Sequence, residues 1–141
     1  MQNNALQIAD GIISYTINGK ATIAFNPTDA GFVEKLFNTF DTLDKRQDEY
    51  KTRVSTLADK REIFAVAREM DGEMRDLIDG VFGVPVCTEL FGDMNVYAMA
   101  DGLPVWCNLM LAVMDEVDTT FAREQKATNP RIAKYTAKYH K

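Results

Sequence analysis

Two short alternating runs, joined by Asn18 and Gly19, constrain the fold of this chain more than any other feature of its sequence. Across residues 12–26, apolar side chains alternate with polar or small ones on both sides of that dipeptide. Asn-Gly favours a type I′ turn because both residues tolerate a positive φ angle. The pattern therefore predicts a β-hairpin. A two-stranded hairpin is only marginally stable alone, so we expect the helices that follow to cover its apolar face.

Helical spacing begins directly after the hairpin. Apolar residues recur at steps of three and four from Val33 to Leu57, behind a helix N-cap expected at Thr28 or Asp29. Gln47 is the one polar break in this stripe. The pattern predicts a long first helix whose charged face is solvated.

A second helix is predicted over residues 60–81. Asp59 followed by Glu62 resembles a capping box, with Asp in place of the usual Ser or Thr. The break near Ala58 fits two arrangements. The helices form either an antiparallel pair or one bent helix, and the sequence leaves both open.

Glycine and proline punctuate the second half of the chain. Residues 80–93 are too apolar for an exposed linker, and their glycines and proline break helical continuity, so they predict a buried turn with one helical turn at Thr88–Phe91. A third helical region is predicted from Asn95 to about Arg123, with an interruption at residues 102–104. Because proline fits the first turn of a helix, we expect a new helix to begin near Pro104.

These patterns predict a mainly α chain of the α+β class, with an N-terminal β-hairpin packed on a bundle of three to four helices. A chain of 141 residues suits one domain. We expect this domain to cover residues 1–122 and to be followed by a basic C-terminal tail over residues 123–141.

The two cysteines, Cys87 and Cys107, lie in apolar surroundings. Small secreted folds held by disulfides use more cysteine than this, so two reduced and buried thiols are expected. No stretch is long and apolar enough for a membrane span, and the first residues lack the pattern of a signal peptide. The sequence thus predicts a protein of the cytoplasm with no membrane contact.

Charge is divided unequally along the chain. Residues 120–141 hold six basic residues and one acid, a net charge of +5, whereas residues 1–119 hold ten basic residues and twenty acids, a net charge of −10. An acidic body repels phosphate, which argues against nucleic-acid binding by the folded part. An acidic body with a basic tail is typical of a protein that docks on a protein partner or on copies of itself.

Residues suited to catalysis or metal binding are sparse. The single histidine, His140, stands next to the last residue, where a catalytic base would not be held rigidly. Neither a phosphate-binding glycine motif nor a Cys/His zinc spacing occurs. The acid pairs Asp76/Asp79 and Asp115/Asp118 suit a divalent cation only if another helix supplies ligands. The sequence therefore predicts no enzyme, no catalytic residue, no cofactor and no metal site.

Candidate partner-binding residues fall into a methionine-rich region around the one tryptophan and a basic group in the tail. They are Met94, Met99, Trp106, Met110 and Met114, then Arg131, Lys134, Tyr135 and Lys138. Methionines suit a surface that adapts to varied apolar partners, but they also serve as ordinary core residues. The tail suits either a docking segment that orders on binding or a solubilising end.

The order of short motifs along the chain resembles one family of proteins. An Ile-Asn-Gly turn precedes an acidic amphipathic helix, a helix ends in Val-Phe-Gly, Leu-Phe-Gly follows, and the chain ends in a basic segment. The stretches concerned are Ile17–Gly19, Val81–Gly83, Leu90–Gly92 and Arg131–Thr136. In this order they resemble the small tail assembly chaperones of long-tailed (siphovirus-type) phages and prophages of Firmicutes.

The resemblance implies a non-enzymatic role in phage tail morphogenesis, in the host cytoplasm. Copies of the chaperone would coat the tape-measure protein, keep it soluble, and leave as the tail tube polymerises around it. The partners implied are the tape-measure protein and further copies of the chain. The alternative is a small phage-encoded inhibitor that binds and blocks a host enzyme or defence complex, a role that an acidic protein without catalytic residues also suits.

Overall fold

The computed structural model of the chain describes residues 2–139, without the side chains of Tyr135 and Tyr139. An antiparallel hairpin precedes the helices, which confirms the mainly α, α+β prediction. The described strands are β1 (Ile13–Ile17), β2 (Ala21–Phe25), β3 (Met99–Ala100) and β4 (Leu103–Pro104). The described helices are α1 (Ala30–Ser55), α2 (Lys60–Phe82), α3 (Val86–Phe91), α4 (Val105–Lys126) and α5 (Arg131–Tyr139).

The turn between β1 and β2 is the one that the sequence predicted. Asn18 has a φ of 52° and Gly19 a φ of 67°, as a type I′ turn requires. The turn closes with a hydrogen bond of 2.9 Å from the Lys20 amide to the Ile17 carbonyl. This geometry sets the register of the whole hairpin.

The hairpin is covered mainly through β2. Ile23 and Phe25 are buried, whereas Tyr15 on β1 is only half-buried. The Phe25 ring stacks on Phe32 of α1 with centroids 4.5 Å apart, and Phe82 of α2 closes the cluster 6.4 Å from Phe25. The helices therefore cover one strand of the hairpin and leave part of the other open.

Helices α1 and α2 begin at aspartates that were expected to cap them. The Asp29 carboxylate accepts a hydrogen bond of 3.0 Å from the Gly31 amide. The Asp59 carboxylate accepts one of 2.9 Å from the Arg61 amide. Each side chain satisfies an amide that has no partner within its helix.

Helices α1 and α2 form an antiparallel pair, which resolves the choice that the sequence left open. Arg46 pairs with Glu73 at 2.8 Å, and Arg53 pairs with Glu69 at 3.3 Å. The paired positions therefore rise in number along α1 as they fall along α2, as in an antiparallel pair. These ion pairs are partly exposed and contribute little energy, so the apolar contacts beneath them hold the pair together.

The core lies between α1, α2 and α4. Its fully buried side chains include Leu36 and Leu43 of α1, Met74 and Ile78 of α2, and Met110 of α4. None of the helices within residues 2–139 combines the length and the apolar character needed to cross a bilayer.

The prediction of a helix starting at Asn95 was wrong. Residues 95–98 form a turn and lead into the small β3–β4 hairpin, whose own turn contains Asp101 and Gly102 at positive φ. A new helix begins at Val105, directly after Pro104, as the proline predicted. The Asn95 side chain donates a hydrogen bond of 3.0 Å to the Ala67 carbonyl, which ties this turn to α2.

A partly buried polar network ties this turn to α2. The Asp71 carboxylate accepts two hydrogen bonds, one of 2.7 Å from the Val96 amide and one of 3.0 Å from Arg75 Nε. The Arg75 guanidinium in turn donates to the carbonyls of Gly92 and Met94, at 2.8 and 2.6 Å. These hydrogen bonds hold the backbone of residues 92–96 against α2.

The C-terminal segment is more ordered than a simple tail. Helix α4 continues to Lys126, three residues beyond the end at about Arg123 that its spacing predicted. Asn129 and Pro130 then separate α4 from α5. The Asn129 side chain accepts a hydrogen bond of 3.0 Å from the Arg131 amide. Arg131, Lys134 and Lys138 therefore lie on a short helix, whereas Arg123 and Lys126 belong to α4.

Replacing Asp71 with alanine is expected to destabilise the fold by about 2–3 kcal/mol, since charge-assisted hydrogen bonds are lost and buried donors lose their acceptor. Urea unfolding followed by circular dichroism measures the loss. Asp76→Ala, an exposed acid on the same helix, is the matched control and should change stability by less than about 0.5 kcal/mol. Equal effects of the two substitutions would contradict the role assigned to the network.

Candidate functional site

An apolar groove opens between the β1–β2 hairpin and α4, with a volume of about 460 Å³. We call it the hairpin groove. Its lining comes from the hairpin, from α3 and β3, and from one face of α4: Tyr15, Thr16, Ile17, Asn18, Ile23, Phe25, Leu90, Phe91, Ala100, Val105, Asn108, Leu109, Ala112, Val113 and Glu116. The groove exists because α4 packs on α1 and does not close over β1.

Strand alternation supplies the hairpin side of the groove. Tyr15 and Ile17 are half-buried while Thr16 between them is exposed, as the period of two requires. The Tyr15 ring stacks on Phe25 with centroids 5.0 Å apart. Since Phe25 is itself stacked on α1, the Tyr15 wall has a rigid support.

Helical spacing supplies the opposite side. Leu109, Ala112, Val113 and Glu116 fall at i, i+3, i+4 and i+7 on α4, which places them on one face. Leu109 and Val113 are buried, whereas Ala112 and Glu116 are exposed. The small Ala112 side chain leaves the groove open at its surface.

The groove is suited to apolar contact with little charge. Glu116 is the one charged residue in the lining described. The polar rim consists of Thr16, Asn18 and Asn108. The side-chain amide of Asn108 already donates a hydrogen bond of 2.8 Å to the Ala100 carbonyl. Such a site binds apolar side chains and offers few groups for chemistry.

The methionine-rich region does not form one surface. Trp106 and Met110 lie in the core, and Trp106 Nε1 donates a hydrogen bond of 2.8 Å to Gln47 Oε1 of α1. Met114 is half-buried, and Met94 and Met99 are exposed on either side of the turn before β3. Of the five residues predicted to bind a partner, Met94 and Met99 are thus the ones that lie well exposed.

The basic candidates of the tail lie on α5, whereas the methionine candidates lie within residues 94–114. Arg131, Lys134 and Lys138 are exposed. Tyr135 belongs to α5, but its side chain lies outside the description. The structure therefore brings the three basic residues together on one short helix.

The two acid pairs of the sequence analysis, Asp76/Asp79 and Asp115/Asp118, differ in burial and in hydrogen bonding. Asp79 is half-buried and accepts a hydrogen bond of 3.0 Å from the Cys87 amide, while Asp76 is exposed. Asp115 and Asp118 are both exposed on α4. Within the described part of the chain, no cluster of three or more His, Cys, Asp or Glu residues could hold a metal ion; His140 lies outside that part.

The hairpin groove was not predicted as a site from the sequence. It did predict an apolar face on the hairpin, and Tyr15 and Ile17 belong to that face. Spacing along α4 could have added Leu109, Ala112 and Val113. What the sequence did not supply was the gap between the two elements, which depends on how α4 packs on α1.

Comparisons with protein-family models, with curated proteins and with solved structures find no match to this chain. The interpretation of the site therefore depends on the residues and their geometry.

Both thiols are reduced and buried, as the sequence predicted. Burial, reinforced by the negative charge of Asp79 and a hydrogen bond with it, raises the pKa of Cys87 far above its ordinary 9.0. Burial, followed by the influence of Tyr50 and Glu73, likewise raises the pKa of Tyr97 far above its ordinary 10.0. These groups stay neutral in the folded protein and are not poised for nucleophilic chemistry.

The free energy of unfolding is expected to fall as the pH rises above about 9, because the thiol of Cys87 and then the phenol of Tyr97 ionise in the unfolded chain before they ionise in the folded one. Below pH 9 their full contribution is present. Tyr97→Phe should flatten the decline above pH 10. Urea unfolding at a series of pH values measures both effects.

The same variant provides a check at neutral pH. The Tyr97 hydroxyl is buried and has no hydrogen-bond partner in the described structure, so its removal should not lower stability and should raise it by up to about 1 kcal/mol. A loss of more than about 1 kcal/mol in Tyr97→Phe at pH 7 would mean that the hydroxyl has a partner after all.

Proposed function

We propose that this protein is a non-enzymatic tail assembly chaperone of a long-tailed phage or prophage, which coats and solubilises the tape-measure protein in the host cytoplasm during tail morphogenesis. The order of motifs from Ile17–Gly19 to Arg131–Thr136 supports this proposal. The observation that carries it is the hairpin groove, because an open apolar groove is what an amphipathic helix of such a client would need.

The shape of the hairpin groove favours one face of a helix as its ligand. An amphipathic helix binds a groove through apolar side chains at i, i+3 or i+4, and i+7. A volume of about 460 Å³ holds several apolar side chains but not a whole helix. The backbone of the client helix would therefore lie across the rim, with its polar face in water.

The rim gives the client helix a preferred orientation. Glu116 would pair with a Lys or Arg of the client beside its apolar stripe. Thr16 and Asn18 at the hairpin end offer hydrogen-bonding groups in place of charge. Rim charges of this kind affect orientation and rate of association more than affinity.

A small client-binding groove on each copy fits a coating role. A single shallow contact would be weak, but repeated contacts along one long client add up through effective concentration. Each copy could then leave separately when tube subunits compete for the same apolar stripe. A chaperone that must be displaced benefits from contacts that are individually weak.

A second candidate function is an inhibitor of a host enzyme or defence complex. The observation that favours it is the net charge of −10 on residues 1–119, which would let the body compete with a nucleic acid for a basic surface. This function would use the exposed acids and not the hairpin groove. The two candidates therefore respond differently to a change in the groove.

Ala112→Arg is expected to weaken binding of the tape-measure protein at least tenfold, because a long charged side chain would fill the groove. Ala112 is exposed on α4, so the fold should tolerate the change. Co-expression with the long helical protein encoded beside this gene, followed by pull-down, measures the soluble complex. Ala65→Arg, at another exposed helical alanine outside the groove lining, is the matched control.

The result separates the two functions. Loss of soluble tape-measure protein with Ala112→Arg but not with Ala65→Arg supports the chaperone and its groove. An insoluble tape-measure protein beside an unbound wild-type chain would contradict the chaperone proposal. Retention of a host protein from lysate by wild-type and Ala112→Arg alike would then favour the inhibitor.

A further inference from the structure

Helix α5 is a short amphipathic helix whose described side chains are all exposed. Ile132 is 75% exposed, and in the sequence it is followed by Tyr135 and Tyr139 at steps of three and four. Nine residues are fewer than the roughly 12–15 that an isolated helix needs for stability in water. A helix of this length with an apolar stripe requires contact with another surface.

A second groove on the same protein offers such a surface. It lies between the first turns of α1 and the last turns of α4, has a volume of about 390 Å³, and is called the α1/α4 groove here. Two aromatic side chains in its lining are unusually open, with Phe37 42% exposed and Phe121 49% exposed. The remaining lining is Thr28, Ala30, Val33, Val117, Asp118, Ala122 and Gln125.

The dimensions of α5 and of the α1/α4 groove agree. On α4 the lining runs from Val117 to Gln125, which is about 13 Å along a helix at 1.5 Å per residue. Helix α5 has nine residues and is therefore also about 13 Å long. The whole apolar stripe of α5 could lie along the groove.

Charge also favours this pairing. Helix α5 carries Arg131, Lys134 and Lys138 and no acid. The lining of the α1/α4 groove contains the exposed carboxylate of Asp118. Cations beside an apolar stripe would thus meet a carboxylate beside an apolar groove.

Among the described residues, the groove and α5 of the same chain both keep exposed apolar side chains. Phe37 and Phe121 remain exposed, and so does Ile132. We propose that α5 of one copy docks in the α1/α4 groove of a second copy. The contact joins two different surfaces of the same protein, so each copy offers a groove to one neighbour and a helix to another.

This inference goes beyond the chaperone proposal, because the contact needs no tape-measure protein. Its test uses the full chain alone, in light scattering after size exclusion over rising protein concentration. The wild-type mass should increase above that of the monomer, and the increase should shrink at high salt because the contact is partly electrostatic.

Two single variants each remove one half of the contact. Ile132→Asp places a charge on α5, and Phe121→Asp places one in the α1/α4 groove. Both sites are exposed, so circular dichroism should show unchanged folding. Each variant alone should remain monomeric. An equimolar mixture should form a heterodimer, because one variant retains an intact groove and the other an intact helix.

Phe64→Asp is the matched control. Phe64 is a 56% exposed phenylalanine on α2 and lines a different hollow, together with Tyr50 near the far end of α1. The thirteen residues from Phe37 to Tyr50 correspond to roughly 20 Å of helix. Phe64→Asp should therefore associate like the wild type.

Three results would overturn the proposal. They are a wild-type chain that is monomeric at every concentration, variants that associate like the wild type, and a mixture that stays monomeric. Self-association without tape-measure binding would leave the inferred contact standing and refute the chaperone function alone.

Discussion

The position of α4 against the α1–α2 pair is the constraint on which the rest of the molecule depends. Met110 is fully buried among Leu43 and Met74 in the core, and the start of α4 is tied to α1 by the hydrogen bond of 2.8 Å between Trp106 and Gln47. Because α4 is held there, it cannot also cover β1. The hairpin groove is the space that this packing leaves, so the apparent binding surface follows from the core.

Short-range chemistry made much of the fold predictable. Asn18-Gly19 specified a type I′ turn, and Asp29 and Asp59 marked two helix starts, because each signal acts within a few residues. The turn at Asn95 was not predictable from the local pattern, because its hydrogen-bond partners on α2 are distant in the sequence. The Val96 amide bonds to Asp71, which lies twenty-five residues earlier, and no local pattern contains that information. The choice of an antiparallel α1–α2 pair was likewise a matter of long-range packing.

The candidate site was predictable only in part, for the same reason. The apolar face of Tyr15 and Ile17 could be identified from alternation, but whether a helix would cover it could not. Composition also could not separate the core from the surface in the methionine-rich region. Trp106 and Met110 are buried and Met99 is exposed, although all three stand in a similarly apolar part of the sequence. The difference is set by which face of α4, or which strand end, each residue occupies.

The two grooves are arranged end to end on one helix, and this has a consequence for assembly. The first half of α4 forms a wall of the hairpin groove and the second half a wall of the α1/α4 groove. Ala112 and Phe121 mark the two sites and lie about 13 Å apart along the helix axis. A client helix in the first groove and a neighbouring copy in the second would thus be held at a fixed separation by a rigid element. If both proposals hold, α4 sets the spacing at which copies follow one another along the client, and the basic α5 sets the direction in which they follow.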